Sequence, residues 1–358
     1  MAVSRPLWVF ATGVAGALAL SSCSVIGGTE EESQSSDGDD VTVTLVSHDS
    51  FNMDQEVLDA FAEETGITID VVLEGDGGEL ANKLVLTDGA PLGDVVFGIN
   101  SDFASRVVEA DVLQAYEPQE ASDDLANYAI EGEGSDLLTP IDFGDVCVNI
   151  DHEWFADEDI DEPETLEDLT KPEYEDLFVV QNPATSSPGL SFLMGTIAEF
   201  GDDWPDYWQD LADNGVQVSQ SWTDSYSVEF SGSSGEGPLP LVVSYASSPP
   251  YEVPEDSDEA PTGALLDTCA RQVEYAGILQ GTEHEDEAQQ VVDFLISQEF
   301  QEAIAEEMFM YPVRSDVDLP EEWQKYAAVA DDAFTLPAEE IEANREDWIK
   351  TWTDVVIG

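Results

Sequence analysis

The sequence predicts an α/β protein with two lobes, each a mostly parallel sheet flanked by helices. From Val41 onward, short β-rich runs alternate with amphipathic segments, and this β-α-β-α-β rhythm is typical of parallel sheets covered by helices. A second series of the same kind begins near Asp145, and no long linker separates the two. Several chain crossings are therefore expected, with lobe 1 formed by residues 41–140 and about 272–312, and lobe 2 by residues 141–271 and about 313–358.

Strand and helix patterns alternate through the first series. Residues 54–66 are predicted as a helix because Val57, Leu58 and Phe61 share one face and Gly66 is a typical C-terminal residue. The other helices predicted in this series cover 78–89 and 102–110, and its strands cover 41–47, 67–75 and 93–99.

The second series continues this alternation to the C-terminus. Its predicted strands are 145–151, 177–182, 216–220, 240–246 and 270–279. Its predicted helices are 163–171, 190–200, 204–212, 221–230, 285–297, 298–307 and 338–356.

Loops at the carboxyl ends of the strands are the candidate ligand sites, because ligands of parallel sheets lie beyond those ends. Residues 47–51, 75–78 and 99–101 fall on one such rim. A further loop at 182–189 carries serine and threonine hydroxyls before a helix that begins near Pro188. Such hydroxyls cap a helix, and free N–H groups at the same place hold an oxyanion; both interpretations stay open.

Aromatic residues also follow strands in the second series. Trp222 and Tyr226 lie one turn apart, and Tyr245 and Tyr251 flank a Ser/Pro-rich loop. These side chains are candidate walls for a flat or cationic ligand, at about 0.5 to 2 kcal/mol for each desolvated cation contact. The alternative is that Trp222 and Tyr226 only pack the core of lobe 2.

Charge is the most extreme property of the chain. Eighty Asp and Glu against nine Lys and Arg give a formal net charge of −71, so nucleic acid and anionic lipid surfaces would be repelled. The hydrophobic fraction of 42% and the aromatic fraction of 9% are too high for a disordered acidic tail. Self-repulsion of this size is tolerated when salt shortens the screening length to about 3 Å, near molar ionic strength. We therefore predict the protein of a halophile.

The first forty residues predict export and a lipid anchor. The apolar run over residues 7–20 is too short for a permanent membrane span and has the form of a secretory signal. The tetrad Leu20-Ser21-Ser22-Cys23 resembles a lipoprotein processing box, which predicts a signal peptide over 1–22 and a lipid on Cys23. Residues 23–40 are predicted to form a flexible acidic tether on the outer face of the cytoplasmic membrane. An ordinary signal peptide with an incidental cysteine is the alternative.

Cys147 and Cys269 remain once Cys23 is assigned to lipid. Both lie in predicted strands of an exported protein, where oxidising conditions favour a disulfide, and two buried free thiols are the alternative. The three histidines are far apart in the chain and no Cys/His spacing indicates a metal site. The chain contains no G-x-S-x-G, P-loop or H-E-x-x-H motif. We therefore predict no catalytic residue, no metal and no cofactor.

Eight segments in order carry a resemblance that covers nearly the whole chain from Val41. They are HDSF at 48–51, EGDGGELANKL at 74–84, DVVFGI at 94–99, DFGDVCVNID at 142–151, QNPATSSPGLSFL at 181–193, SWTDSY at 221–226, VVSYASSPPY at 242–251 and MYPV at 310–313. In these segments the chain resembles the thiamine-binding receptors of ABC importers, within the wider group of iron- and polyamine-binding receptors. The resemblance implies a type II periplasmic-binding-protein fold with the ligand cleft between the lobes, and no enzymatic activity.

The resemblance also implies a ligand and its contacts. A monomeric receptor would bind thiamine, thiamine monophosphate or thiamine diphosphate and deliver it to ABC permease subunits served by a separate ATPase. Trp222 and Tyr245 would pack on the rings, the backbone near Asp76 would hold the ligand, and the Asp76 carboxylate would favour its cation. The implied contacts are Asp76, Gly77, Ser186, Ser187, Trp222, Tyr245, Ala246, Ser247 and Ser248, with His48, Asp49, Tyr251 and Phe309 as further candidates.

Three residues depart from the family pattern. His48 stands where bacterial members have tyrosine, Phe309 where they have tryptophan, and Ala246 replaces a hydroxyl residue. A receptor for a polyamine or for ferric iron on the same fold is therefore kept as an alternative, although ferric receptors usually present two adjacent tyrosines and Tyr245 here is followed by Ala246. A lipid-anchored surface protein without a small ligand is the second alternative.

Overall fold

The computed structural model describes residues 41–87, 90–119, 123–130, 134–254, 257 and 259–358. The predicted signal peptide, the lipid-bearing Cys23 and the tether over residues 23–40 lie outside the described residues. Within the described ranges, no helix is both long enough and apolar enough to cross a membrane.

The N-terminal part of the chain forms a βα series with parallel strands. Its elements are β1 (Val41–His48), α1 (Gln55–Thr65), β2 (Ile67–Gly75), α2 (Gly77–Val85), β3 (Val95–Asn100) and α3 (Ser101–Glu109). Asp54 caps α1 by accepting a hydrogen bond from the main-chain N–H of Glu56. Gly66 ends the helix with φ of 76°, a left-handed conformation that favours glycine. β1 pairs in parallel with β2 and with β3.

The middle of the chain forms the second βα series. Its strands are β4 (Leu113–Gln114), β5 (Thr139–Asp151), β6 (Phe178–Gln181), β7 (Gln217–Ser219) and β8 (Leu241–Tyr245). Its helices are α4 (His152–Glu158), α5 (Ser187–Phe200), α6 (Trp204–Asp213) and α7 (Trp222–Asp224), the last continuing as a π-helical turn over Ser225–Glu229. Pro188 lies in the first turn of α5, where a missing N–H costs no internal hydrogen bond.

The C-terminal part adds one long strand and four helices in the described residues. Its elements are β9 (Thr262–Leu279), α8 (Glu285–Leu295), α9 (Gln298–Glu307), β10 (Tyr311–Pro312), α10 (Glu321–Tyr326) and α11 (Ala338–Val356). The bounds of α11 are those predicted from the sequence. β9 begins at Thr262 rather than at Ala270, because its N-terminal half also pairs with β5.

The described strands form one mixed sheet in the order β2-β1-β3-β9-β5-β8-β6-β7, with β4 pairing β9 and β10 pairing β5 at its sides. The β2-β1-β3 end and the β8-β6-β7 end are both parallel. Between them, β9 is antiparallel to β3 and β5, and β5 is antiparallel to β8. The predicted α/β class is confirmed, and the structure adds that two long antiparallel strands join the parallel ends.

One predicted helix is wrong. Residues 163–171 contain only a 3₁₀ turn at Asp168–Thr170. Lys171 precedes Pro172 and is extended, with ψ of 147°, because a proline disfavours helical conformation at the residue before it. The Asp168 carboxylate accepts hydrogen bonds from the main-chain N–H groups of Glu164 and Thr165, so a local turn replaces the helix.

Large apolar clusters pack on the two faces of the sheet. In β3, Val95 and Phe97 belong to one cluster and Val96 to the other, as the two-residue period of a strand requires. Helix α11 packs through Trp352, whose ring lies edge-on to that of Trp208 in α6 with centroids 5.5 Å apart. The sheet is thus covered on both faces.

Candidate functional site

A cavity of about 520 Å³ lies at the carboxyl ends of β1 and β8. Part of its lining comes from the β2-β1-β3 end of the sheet, through the loop after β1 and the N-terminus of α2. Another part comes from the β8-β6-β7 end, through the first residues of α5 and α7 and the segment after β8. Glu274 of β9 and the end of α9 complete it. The volume is in the range of cavities that enclose small organic ligands.

Most of the residues predicted as ligand contacts meet at this cavity. Those that line it are His48, Asp49, Asp76, Gly77, Ser187, Trp222, Tyr245, Ser248, Tyr251 and Phe309. Ser186, Ala246 and Ser247 do not line it: all three are fully buried, and the Ser247 hydroxyl donates to the main-chain oxygen of Phe309 at 2.5 Å. A ligand-binding role for these three residues stays a prediction.

Asp76 joins the two ends of the sheet through hydrogen bonds. Its Oδ1 accepts from the main-chain N–H of Ser187 at 2.7 Å, and its Oδ2 accepts from that of Trp222 at 2.9 Å. Burial raises the pKa of Asp76 to about 6, against the opposing effect of these two bonds and of the Ser186 hydroxyl. The resemblance implies that the Asp76 carboxylate favours the cation of the ligand. In this structure, main-chain N–H groups of the protein already bind both of its oxygens.

Glycines after Asp76 allow the N-terminus of α2 to touch the loop before α5. A Cβ on Gly77 would lie 2.1 Å from the Ser187 hydroxyl oxygen, and one on Gly78 would lie 2.7 Å from the main chain of Thr185. The main-chain N–H of Glu79 donates to the Thr185 oxygen at 3.0 Å. Only a residue without a side chain permits this approach at both positions.

Aromatic rings form the apolar part of the lining. Trp222 stacks on Tyr226 with centroids 5.0 Å apart and planes inclined by 12°, and it lies 6.4 Å from Tyr245. Its Nε1–H donates to the Ser244 hydroxyl at 2.9 Å. Tyr226 is part of the core, with its hydroxyl donating to Glu252 at 2.9 Å. Trp222 therefore both packs on the core and faces the cavity, so the two interpretations of its sequence position are compatible.

His48 is held between a hydroxyl and a carboxylate. Its Nδ1 lies 2.9 Å from the Ser50 hydroxyl, and its Nε2 lies 3.4 Å from Oε2 of Glu274. Burial by itself would lower the pKa of His48, but attraction to Glu274, Asp76 and Asp49 outweighs it and raises the pKa above its ordinary value. His48 is therefore the basic neighbour of Glu274 in a carboxylate-rich site.

Glu274 lies in the middle of β9, directly opposite Asp142 of β5. The residue is only 4% exposed, and its Oε2 receives no hydrogen bond from a described residue. Asp142 is fully buried, and neither of its oxygens accepts a hydrogen bond from a described residue. Burial, and next to it the charge of Glu274, raises the pKa of Asp142 well above its usual range.

Two further carboxyls of the lining have raised pKa values. Burial is the main cause for Asp49, whose pKa is also raised by Asp224 and Glu79. Burial likewise raises the pKa of Glu252, against the hydrogen bond from Tyr226. Carboxylates in this cavity are thus partly desolvated, and among the described residues His48 is the one basic side chain of the lining that opposes this effect. Within the described ranges, no group of three or more Asp, Glu, His or Cys side chains is arranged to hold a metal.

Cys147 of β5 and Cys269 of β9 form a disulfide behind the cavity wall, with Cα atoms 4.1 Å apart. The half-cystines pack with Ala246, the residue after β8. The bond lies where the register of β5 against β9 shifts, between Val146 and Val148. It therefore links the two strands that join the ends of the sheet.

Other residues of the lining are not among the predicted ligand contacts. They are Ser50, Asn52, Glu252, Glu274, Glu306, Glu307, Met308 and Met310, together with Pro188, Thr223, Tyr226, Ser227, Ser233 and Ser234. Ser50 and Pro188 do lie in the predicted candidate loops at 47–51 and 182–189, and Tyr226 is one of the predicted aromatic wall residues. For the glutamates no local signal was available, because acidic residues occur throughout this chain and Glu274 lies in mid-strand.

The fold and the cavity together define a class of protein. A mixed sheet with two parallel ends, joined by long antiparallel strands and sharing one cavity, is the architecture of type II periplasmic binding proteins, to which the similar solved structures belong. The family model described as bacterial extracellular solute-binding protein matches residues 90–336, which is more than half of the chain. The chain therefore belongs to the bacterial extracellular solute-binding protein family, whose members are not enzymes.

Individual relatives extend the similarity beyond the matched range. The thiamine-binding periplasmic protein of Escherichia coli is 28% identical over 322 residues, covering 88% of this chain and 93% of that protein. The protein of the same name from Brucella suis is 26% identical over 318 residues, covering 87% and 91%. A solved structure titled periplasmic thiamin binding protein superposes with a TM-score of 0.75 at 26% identity, covering 88% of this chain and 96% of that one.

Proposed function

We propose that this chain is an extracytoplasmic receptor that binds thiamine or a phosphate ester of thiamine and delivers it to an ABC permease served by a separate ATPase. The observation that carries the proposal is one cavity lined by both aromatic rings and carboxylates. Thiamine joins a positively charged thiazolium ring to a pyrimidine ring, so ring faces and negative charge complement it. The names of the relatives from Escherichia coli and Brucella suis support the same ligand.

We assign the roles as follows. Trp222 and Tyr245 present ring surface to the ligand, while Glu274 and the other carboxylates favour its positive charge. The Ser187 hydroxyl has no hydrogen-bond partner among the described residues, so it is free to bond to the ligand's pyrimidine. Because the ring contacts exclude water, binding should persist in concentrated salt better than binding through exposed ion pairs.

Closure of the receptor is proposed to involve Asp76. The bonds from Ser187 and Trp222 to its carboxylate connect the two ends of the sheet directly beside the cavity. A ligand favours such a closed arrangement only to the extent that it binds that arrangement more tightly than an open one. Contacts from both ends of the sheet to one small molecule would supply that difference.

The same proposal includes the oligomeric state, the salt environment and the membrane anchor of the receptor. We propose a monomer from a halophile, held on the outer face of the cytoplasmic membrane by lipid on Cys23. Replacing Cys23 with serine in the full chain is expected to release the protein from the membrane fraction. Retention of the Cys23→Ser protein in that fraction would contradict the lipid anchor.

Calorimetric titration of residues 41–358 in multimolar KCl tests the ligand assignment. The titrants are thiamine, thiamine monophosphate, thiamine diphosphate, putrescine, spermidine and ferric citrate. Saturable heat from thiamine or its esters is expected. Tight binding of iron or a polyamine without heat from any thiamine compound would transfer the chain to an alternative receptor class, and no binding of any titrant by the folded protein would favour a surface protein without a small ligand.

A further inference from the structure

The ionisable side chains that line the cavity are almost all acidic. Six carboxylates belong to it, and no lysine or arginine does among the described residues. His48 is the one basic side chain of the lining, and it lies beside Glu274. The six carboxylates are Asp49, Asp76, Glu252, Glu274, Glu306 and Glu307.

Two main-chain donors beside the cavity are already occupied. Free N–H groups at the start of a helix commonly bind phosphate. Here the N–H of Ser187, the first residue of α5, donates to Asp76 Oδ1 at 2.7 Å, and the N–H of Trp222 donates to Oδ2 at 2.9 Å. The carboxylate of Asp76 thus occupies two main-chain donors that a phosphate group would otherwise use.

One buried acceptor at the cavity surface has a single basic neighbour and no hydrogen bond. Oε2 of Glu274 receives no hydrogen bond from a described residue, although the residue is only 4% exposed. Its nearest basic atom, Nε2 of His48, is 3.4 Å away. A buried carboxylate oxygen in this state is stabilised by a cation or a donor and destabilised by a second anion.

We infer that this cavity selects the unphosphorylated, positively charged form of its ligand over the phosphate esters. The inference rests on the proposed function and decides between the three thiamine compounds. A terminal phosphate monoester carries about 1.5 to 2 negative charges near neutral pH. The six carboxylates of the lining oppose that charge, and Asp76 occupies two of the N–H donors that would compensate it.

Competitive calorimetry with thiamine, thiamine monophosphate and thiamine diphosphate tests the inference at a fixed, near-neutral pH in KCl. Thiamine is expected to bind at least about tenfold more tightly than the diphosphate, a difference of about 1.4 kcal/mol. Equal affinities, or tighter binding of the diphosphate, would overturn the inference and leave the proposed receptor function intact. Absence of binding by all three compounds to a folded protein would overturn both.

Two variants separate the causes of selectivity. Glu274→Gln removes one negative charge from the lining. It is expected to reduce the preference for thiamine over thiamine diphosphate by about threefold. Asp76→Ala releases the N–H groups of Ser187 and Trp222 and is expected to raise diphosphate affinity relative to thiamine by about tenfold. Glu299→Gln, an exposed carboxylate of α9 outside the cavity, is the matched control and should leave the ratio unchanged.

The Glu299→Gln control sets the size of change that counts as no effect on the preference for thiamine. If Glu274→Gln changes the ratio no more than Glu299→Gln does, the buried carboxylate does not discriminate between the ligands. If Asp76→Ala remains folded by circular dichroism and keeps the wild-type ratio, occupancy of the two donors is not a cause of selectivity. Both results together would contradict the inference that the carboxylates of the lining cause the selectivity, even if the wild-type protein prefers thiamine.

Discussion

Replacing Trp222 with alanine is expected to weaken thiamine binding while leaving the fold intact. One face of the Trp222 ring stacks on Tyr226, and the side chain also lines the cavity. Alanine retains the main-chain N–H that donates to Asp76. The substitution therefore removes ring surface from the cavity without removing the bond that joins the two ends of the sheet.

The magnitude follows from the contacts that are lost. A desolvated cation over an aromatic ring contributes about 0.5 to 2 kcal/mol, and an aromatic pair contributes about 0.5 to 1.5 kcal/mol beyond area. Loss of such contacts predicts a weakening of about 1 to 3 kcal/mol, or roughly 5-fold to 150-fold in Kd. Trp222 is only partly buried, so the cost to stability should be smaller than the ~3 to 5 kcal/mol typical of truncating a fully buried tryptophan.

Calorimetric titration with thiamine measures the change, and thermal unfolding of the same samples reports on the fold. Trp222→Phe keeps a ring but loses the Nε1–H bond to Ser244, so an intermediate affinity is expected. Trp348→Ala, in a partly buried position of α11 outside the cavity, is the matched control. Wild-type affinity in Trp222→Ala would refute the reasoning and assign Trp222 to core packing alone.

The remaining predictions concern stability. Replacing Cys147 and Cys269 with serine should lower the free energy of unfolding by about 2 to 5 kcal/mol, because the disulfide spans a sequence separation of 122 residues; equal denaturation midpoints with and without the bond would contradict this. Burial raises the pKa of Asp76 from 3.8 to about 6, so its contribution to stability is fully present below pH 3.8 and is lost as the pH rises through 6. The stability of the wild-type protein relative to Asp76→Asn should therefore fall by about 3 kcal/mol over that range, and a difference that does not change with pH would count against the buried carboxylate. The thermal midpoint should rise with KCl concentration as screening relieves the net charge of −71, whereas a midpoint that ignores salt would argue against the halophile prediction.

Local sequence signals predict most of the helices and strands. Helix α11 has the predicted bounds because a long amphipathic pattern follows Pro337, and α1 ends at Gly66 because that residue adopts a left-handed conformation. The prediction over 163–171 fails because the proline at its C-terminal side restricts Lys171 more strongly than helix propensity favours the segment. Local signals therefore suffice where one pattern dominates, and fail where two compete over few residues.

At the candidate site, too, local sequence signals predict some features and not others. Placement after strands marked Asp76, Trp222 and Tyr245 as candidate site residues, but only the resemblance implied that they share one cavity, because the two parallel ends of the sheet run in opposite directions. It did not predict that the Asp76 carboxylate bonds to Ser187 and Trp222 rather than remaining free for a ligand. Hydrogen-bond partners separated by more than a hundred residues leave no local pattern to recognise.

The sequence by itself determined the alternation of elements, the acidic composition and the candidate loops after strands, since each depends on composition or on periodicity within a few turns. Tertiary structure alone decided that Cys147 lies against Cys269, that Glu274 lies opposite Asp142, and that β5 and β9 connect the two parallel ends. The reason is physical: strand register is set by packing the whole sheet, and only that register determines which distant side chains share a desolvated environment.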